Sequence, residues 1–170
     1  MFCPSCGNNI PDNSSACPTC GAPLQAAPQQ TAYQNAGPAR KLNTSRGLVK
    51  FILLSIITLG IYALVYFSYV SVSINEAASR YDGKKTMHFC LLAFIISPIT
   101  FGIGMIVWFH KVSNRIGNEL SRRGLGYSFS ASTFWLWDVL GSLIFIGPFV
   151  YLHKLSKAMN MICADYNEKG

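Results

Sequence analysis

Three long apolar runs, at 51–70, 89–109 and 133–152, alternate with amphipathic stretches along most of the chain. Each run has about the 20 residues a helix needs to cross a hydrocarbon core. Behind each run the apolar positions thin to helical spacing: Val70, Ile74, Ala77 and Tyr81, then Val112, Ile116 and Leu120, then Leu155, Met159, Ile162 and Tyr166. Asp82-Gly83 and Gly124 stand where the first two tails should stop. The pattern predicts an all-α membrane domain over 46–170, made of three apolar helical units with amphipathic extensions at about 50–82, 89–124 and 133–168.

The runs resemble one another residue by residue. Ile57-Thr58-Leu59-Gly60-Ile61 matches Ile99-Thr100-Phe101-Gly102-Ile103, and Trp108-Phe109-His110-Lys111-Val112-Ser113 matches Tyr151-Leu152-His153-Lys154-Leu155-Ser156. A fixed spacing of this kind predicts one supersecondary unit used three times. The third copy has Phe145-Ile146-Gly147-Pro148 in place of Thr-x-Gly. Tyr66, Trp108 and Tyr151 fall where run meets tail and are expected to form an aromatic belt at a membrane interface. Topology stays open between two readings. Basic residues number 4, 3, 4 and 3 in segments 40–50, 80–85, 111–123 and 154–169, which gives the positive-inside rule almost no bias to act on. Either three kinked helices span, or each run is a re-entrant pair broken at Thr58-Leu59-Gly60, Thr100-Phe101-Gly102 and Gly147-Pro148.

Composition supports a lipid partner. The chain is 51% hydrophobic and 12% charged, against about a quarter charged in a soluble domain. Charge is also unevenly placed. Residues 1–39 hold no Lys or Arg and one acid, Asp12, while all 14 basic residues fall between Arg40 and Lys169. The opening stretch lacks the basic start and apolar run of a secretory signal, so it is expected to stay in a reducing cytoplasm.

That stretch carries the sharpest motif. Cys3-Pro-Ser-Cys6-Gly and Cys17-Pro-Thr-Cys20-Gly are two metal knuckles. The two-residue gap lets a tight turn aim both sulfurs at one ion, and Pro4 and Pro18 pre-set its dihedral. Four thiolates would close a tetrahedral shell with no open position, so one structural zinc is expected, on a β-hairpin ribbon at 1–22. With a negative cluster and no basic residue, the ribbon should repel phosphate; a protein contact fits it better than nucleic acid. Residues 23–45, rich in Ala, Gln and Pro, are expected to be a flexible linker.

Thr58-Leu59-Gly60-Ile61-Tyr62, the stretch Phe109-His110-Lys111-Val112-Ser113-Asn114-Arg115-Ile116-Gly117-Asn118-Glu119-Leu120 and Phe134-Trp135-Leu136-Trp137 resemble a prokaryotic membrane family called domain of unknown function 4234, over 46–167. Its members often carry an amino-terminal zinc ribbon. The resemblance implies an integral protein of a prokaryotic cytoplasmic membrane and carries over no catalytic residue.

Few residues could carry chemistry. Asp138, one turn inside the third run, is an intramembrane functional candidate or an interfacial acid beside Trp135 and Trp137. His110 and His153 share a repeat position and read as interfacial anchors, and Cys90 and Cys163 as apolar fillers. Asn75, Asn118 and Asn160 could bond between units. No Ser-His-Asp set, paired carboxylates or phosphate-binding glycine loop is present. The expected function is a non-enzymatic scaffold or adaptor. Its partners are a lipid bilayer and a cytoplasmic protein, with nucleic acid disfavoured and self-association open. The alternative is a small transporter or channel component using broken helices and Asp138.

Overall fold

The computed structural model describes residues 19–20 and 40–170. Cys3, Cys6, Cys17, the expected ribbon hairpin and most of the expected linker lie outside the described residues; Thr19-Cys20 forms a turn. Gly37–Gly170 is one compact unit. Among the described residues it contains helices and no strand.

Three helical hairpins follow in order. The first is α1 (Leu48–Ile57) and α2 (Ile61–Asp82). The first arm of the second is α3 (Phe89–Leu91), a π-helical stretch Leu92–Ile96 and α4 (Ser97–Ile99); its second arm is α5 (Ile103–Arg122). The third combines α6 (Ala131–Thr133), a π-helical stretch Phe134–Leu140 and a 3-10 turn Gly141–Ile144 with α7 (Gly147–Lys169). Ser130 opens it with a capping box to Thr133.

The long arms α2, α5 and α7 make the core. Val70, Ile74, Ala77, Val112, Ile116, Leu120, Leu155, Met159, Ile162 and Tyr166 are all buried, so the helical spacing of the tails marks the packed face. Tyr81 stays exposed, with the Arg122 guanidinium 3.5 Å from its ring centre. Gly117 permits close approach: a Cβ there would stand 2.3 Å from the Phe129 carbonyl oxygen.

Cross-bonds fix the direction of the arms. The Tyr66 and Ser156 hydroxyls meet at 2.7 Å and those of Ser113 and Tyr151 at 2.8 Å; Tyr66, Tyr151 and Ser156 lie in the first halves of their helices and Ser113 at the middle of its own. Near the far ends Arg123 donates to the Ala77 carbonyl at 3.1 Å and to Asp165 at 2.7 Å. Starts meet starts and ends meet ends. The three arms therefore run parallel, and the three hairpin turns share one end of the bundle.

This architecture corrects the expected membrane domain. Each apolar run is cut near its middle by a turn, at 58–60, at 100–102 and around Phe145. The helices that remain long, α2, α5 and α7, take polar and basic residues in their second halves. No described helix is long and apolar enough to cross a membrane. The expected spans, and residence of the chain as an integral protein of the cytoplasmic membrane, are overturned by that finding.

Candidate functional site

The turn end is built by the Thr-x-Gly triplets. At the first, Gly60 N–H donates to Ser55 O at 2.8 Å and Leu59 N–H to Ile56 O at 3.2 Å, a Schellman closure of α1. Thr58 Oγ1 donates to Leu54 O at 2.6 Å and accepts Tyr62 N–H at 2.9 Å. One hydroxyl thus finishes α1 and caps the start of α2. The second turn repeats this geometry. Gly102 N–H reaches Ser97 O at 2.9 Å; Thr100 Oγ1 donates to Ile96 O at 2.7 Å and accepts Gly104 N–H at 2.9 Å. The third turn lacks the threonine and closes by backbone contact. A Cβ on Gly147 would stand 2.1 Å from the Trp137 carbonyl oxygen and 2.3 Å from Gly141 Cα.

The residue at each tip is out of place on two counts. Leu59, Phe101 and Phe145 have φ of 51°, 49° and 61°, the left-handed region that large side chains avoid. They are also 94%, 96% and 85% exposed. Glycine or asparagine would relieve both faults. Around them Ile57, Ile61, Ile99, Ile103, Leu143 and Ile146 are exposed as well, so the bundle ends in an apolar rim.

Below the rim lies an aromatic layer. Phe67 meets Phe109 at 5.1 Å, and Phe109 stacks on Phe134 at 5.8 Å, joining the three hairpins. Tyr66, Trp108 and Tyr151, the expected interfacial belt, are buried in this layer. Their polar atoms bond within the protein, Trp108 Nε1 to Met87 O at 3.0 Å and the two tyrosines to Ser156 and Ser113.

The opposite end is ionic. Buried Arg115 donates to Asp82 at 2.7 and 3.1 Å, Asn75 at 2.6 Å, Thr86 at 2.7 Å, Ser79 at 3.0 Å and the Lys84 carbonyl at 2.6 Å, pinning the loop after α2. Glu119 is bonded by Arg122 and Arg123, and Asp165 by Arg123 and Lys169. Burial pushes the Asp82 carboxyl up, but the Arg115 bond, the Lys84 N–H and both charges outweigh it and hold it below its usual range. Asp165 is depressed in the same way, burial being outweighed by Lys169 and Arg123.

The remaining candidates do not converge on one reactive centre. Asp138 is half-buried in Phe134–Leu140, and burial raises its carboxyl pKa. His110, exposed, accepts from Trp135 Nε1 at 3.0 Å; His153 is exposed too. Cys163 is buried, which raises its thiol pKa against the influence of Arg46; Cys90 is partly buried, 3.3 Å from the Ser68 hydroxyl. Asn160 clamps the Arg46 backbone at 3.0 and 2.7 Å, and Asn167 does the same to Leu42 at 2.7 and 2.8 Å. Among the described residues no three His, Cys, Asp or Glu side chains gather for a metal; three of the four knuckle cysteines lie outside them. The donor set Cys3, Cys6, Cys17 and Cys20 nevertheless fits zinc by type and spacing.

Sequence reasoning missed the buried arginines and the tips. Arg115 lies in phase with Val112 and Glu119 on the packed face, and an arginine there signals a buried pair. At the tips the signal was a large apolar residue inside a turn triplet that ends in glycine.

No curated protein and no solved structure matches the chain. Residues 2–24 match the zinc-ribbon domain, which supports zinc binding. Residues 46–118, most of the first two hairpins, match the model described as Domain of unknown function (DUF4234). A region similar to DUF4234 at 46–118 thus follows a zinc-ribbon domain at 2–24.

Proposed function

We propose that this chain is a non-enzymatic adaptor. Its helical body docks by the apolar rim on a lipid surface from one side, and its zinc ribbon offers a contact for another protein. Docking from one side needs no spanning helix. The carrying observation is the triple coincidence at the tips: Leu59, Phe101 and Phe145 each combine a left-handed backbone with near-complete exposure. A backbone penalty at three equivalent points favours a role outside the folded monomer. Each such side chain, moved from water into an apolar phase, contributes roughly 1.5–3 kcal/mol.

Charge complements this. Lys50, Lys111 and Lys154 lie nine, ten and nine residues from their tips. At 1.5 Å per helical residue that is about 14–15 Å, the depth of acyl chains in one leaflet. The rim would meet acyl chains while the lysines meet anionic headgroups, each worth about 1 kcal/mol. In the ribbon, one structural zinc held by Cys3, Cys6, Cys17 and Cys20 would supply most of the folding energy of so small a module.

The test is vesicle co-sedimentation of the full chain with Leu59→Asn, Phe101→Asn and Phe145→Asn combined. Asparagine tolerates the left-handed backbone, so the fold should persist while binding to anionic vesicles falls at least about tenfold. Undiminished binding by the folded triple variant would exclude the reading. Zinc content near one per chain, lost on Cys3→Ser with Cys20→Ser, checks the ribbon separately.

A further inference from the structure

A groove of about 890 Å³ runs along α5 and is walled by the first arm of the second hairpin and the loop after α2. Its two halves differ in chemistry. Toward the turns it is lined by Leu92, Ile96, Ile103 and Val107. Toward the base it is lined by Lys84, Lys85 and Lys111. Two acids also face it, Asp82 and Glu119, but both are engaged: Asp82 by Arg115, Glu119 by Arg122 and Arg123. None of the three lysines is in an ion pair among the described residues. The cationic half therefore carries uncompensated positive charge beside a continuous apolar wall.

We infer that this groove binds a single-chain amphiphile with an anionic head, its chain along Ile96, Ile103 and Val107 and its head among Lys84, Lys85 and Lys111. The volume lies in the range of small-molecule sites, about 300–1,000 Å³. From Ile103 to Lys111 the helix rises about 12 Å, room for a medium-length alkyl chain laid parallel to α5. An inorganic anion would leave the apolar half in water, and a neutral hydrocarbon would leave three ammonium groups unanswered. A molecule with both ends satisfies both halves. Gly104 keeps the apolar end closed behind it: a Cβ there would press on Ile96 at 2.8 Å and Thr100 at 2.9 Å, so helix and arm touch without a gap. The inference goes beyond the rim, since it concerns one monomeric molecule rather than a lipid layer.

Titration calorimetry of the full chain with dodecyl phosphate, held below its micelle-forming concentration, tests it. Dodecanol and inorganic phosphate serve as single-ended probes. One saturable site for dodecyl phosphate is expected, with both single-ended probes at least about tenfold weaker. Lys84→Glu with Lys85→Glu should weaken dodecyl phosphate at least about tenfold and leave dodecanol unchanged. Val107→Trp, at a half-exposed position that can accept the larger ring, should weaken both alkyl probes. A thermal melt of each variant establishes that it is folded; the lysine pair is on an exposed loop and decides the matter should Val107→Trp melt early. Equal affinity of wild type and the lysine variant for dodecyl phosphate, or uptake that never saturates, overturns the site. The triple tip variant separates the two proposals: it should lose vesicles and keep dodecyl phosphate.

Discussion

The two ends of the helical bundle obey opposite rules. At the base, Arg115, Arg123, Asp82, Glu119 and Asp165 satisfy nearly every polar group that burial strands, and loop and helices are locked together. At the turns, backbone hydrogen bonds close each hairpin, yet the side chains at the tips are the least protected large apolar residues in the unit. One end is arranged for the fold. The other holds a strained, water-exposed rim that the fold alone does not require. The contrast places the buried ion pairs in one half of the helical unit and its strained, exposed side chains in the other.

That contrast makes graded predictions. Arg115→Ala should give the largest loss, about 3–5 kcal/mol by denaturant unfolding, because it leaves Asp82 without its ion-pair partner and frees the loop that Arg115 pins at Lys84 and Thr86. A loss no bigger than that of an exposed arginine would mean the base is not the anchor. Gly147→Ala comes next, at about 1–3 kcal/mol, since its methyl group meets the Trp137 carbonyl and Gly141 backbone. Acid tests the base through its carboxylates. Asp82 and Asp165 have lowered pKa values in the folded state, so their contribution is complete above their ordinary range near about 4 and fades as pH falls through the lower folded values. The melting temperature should therefore drop below about pH 4, and Asp165→Asn should flatten that slope; the effect is moderate because Asp82 is partly open to solvent.

Thr100→Val should cost about 1 kcal/mol by thermal melt, having removed one hydroxyl that serves two helices. The smallest change has the opposite sign. Phe101→Asn should leave stability unchanged or raise it by up to about 1 kcal/mol, because it releases left-handed strain at an exposed site. Marked destabilisation by Phe101→Asn would erase the distinction between the two ends.

Much of the core was legible. Val70, Ile74, Ala77, then Val112, Ile116, Leu120, then Leu155, Met159, Ile162, Tyr166 could be read from helical spacing because a packed helix must keep one apolar stripe. The length of the apolar runs misled, because run length measures hydrophobicity and not continuity of a helix. Thr58 and Thr100 interrupt their runs through a hydroxyl that bonds both sides of a turn, and periodicity does not register such a bond. The rings of Tyr66, Trp108 and Tyr151 look interfacial in sequence; parallel packing of three helices buries them.

The amino-acid order by itself carried the zinc-ribbon motif, the turn triplets and the three amphipathic tails, since each depends on residues close to one another in the chain. Only the tertiary structure decided that the turns gather at one end, that Arg115 and Arg123 are buried, and that Lys84, Lys85 and Lys111 share a groove with Ile96 and Val107. Those facts depend on which helices pack in parallel, a choice made by contacts between residues distant in the chain, and local pattern carries no trace of it.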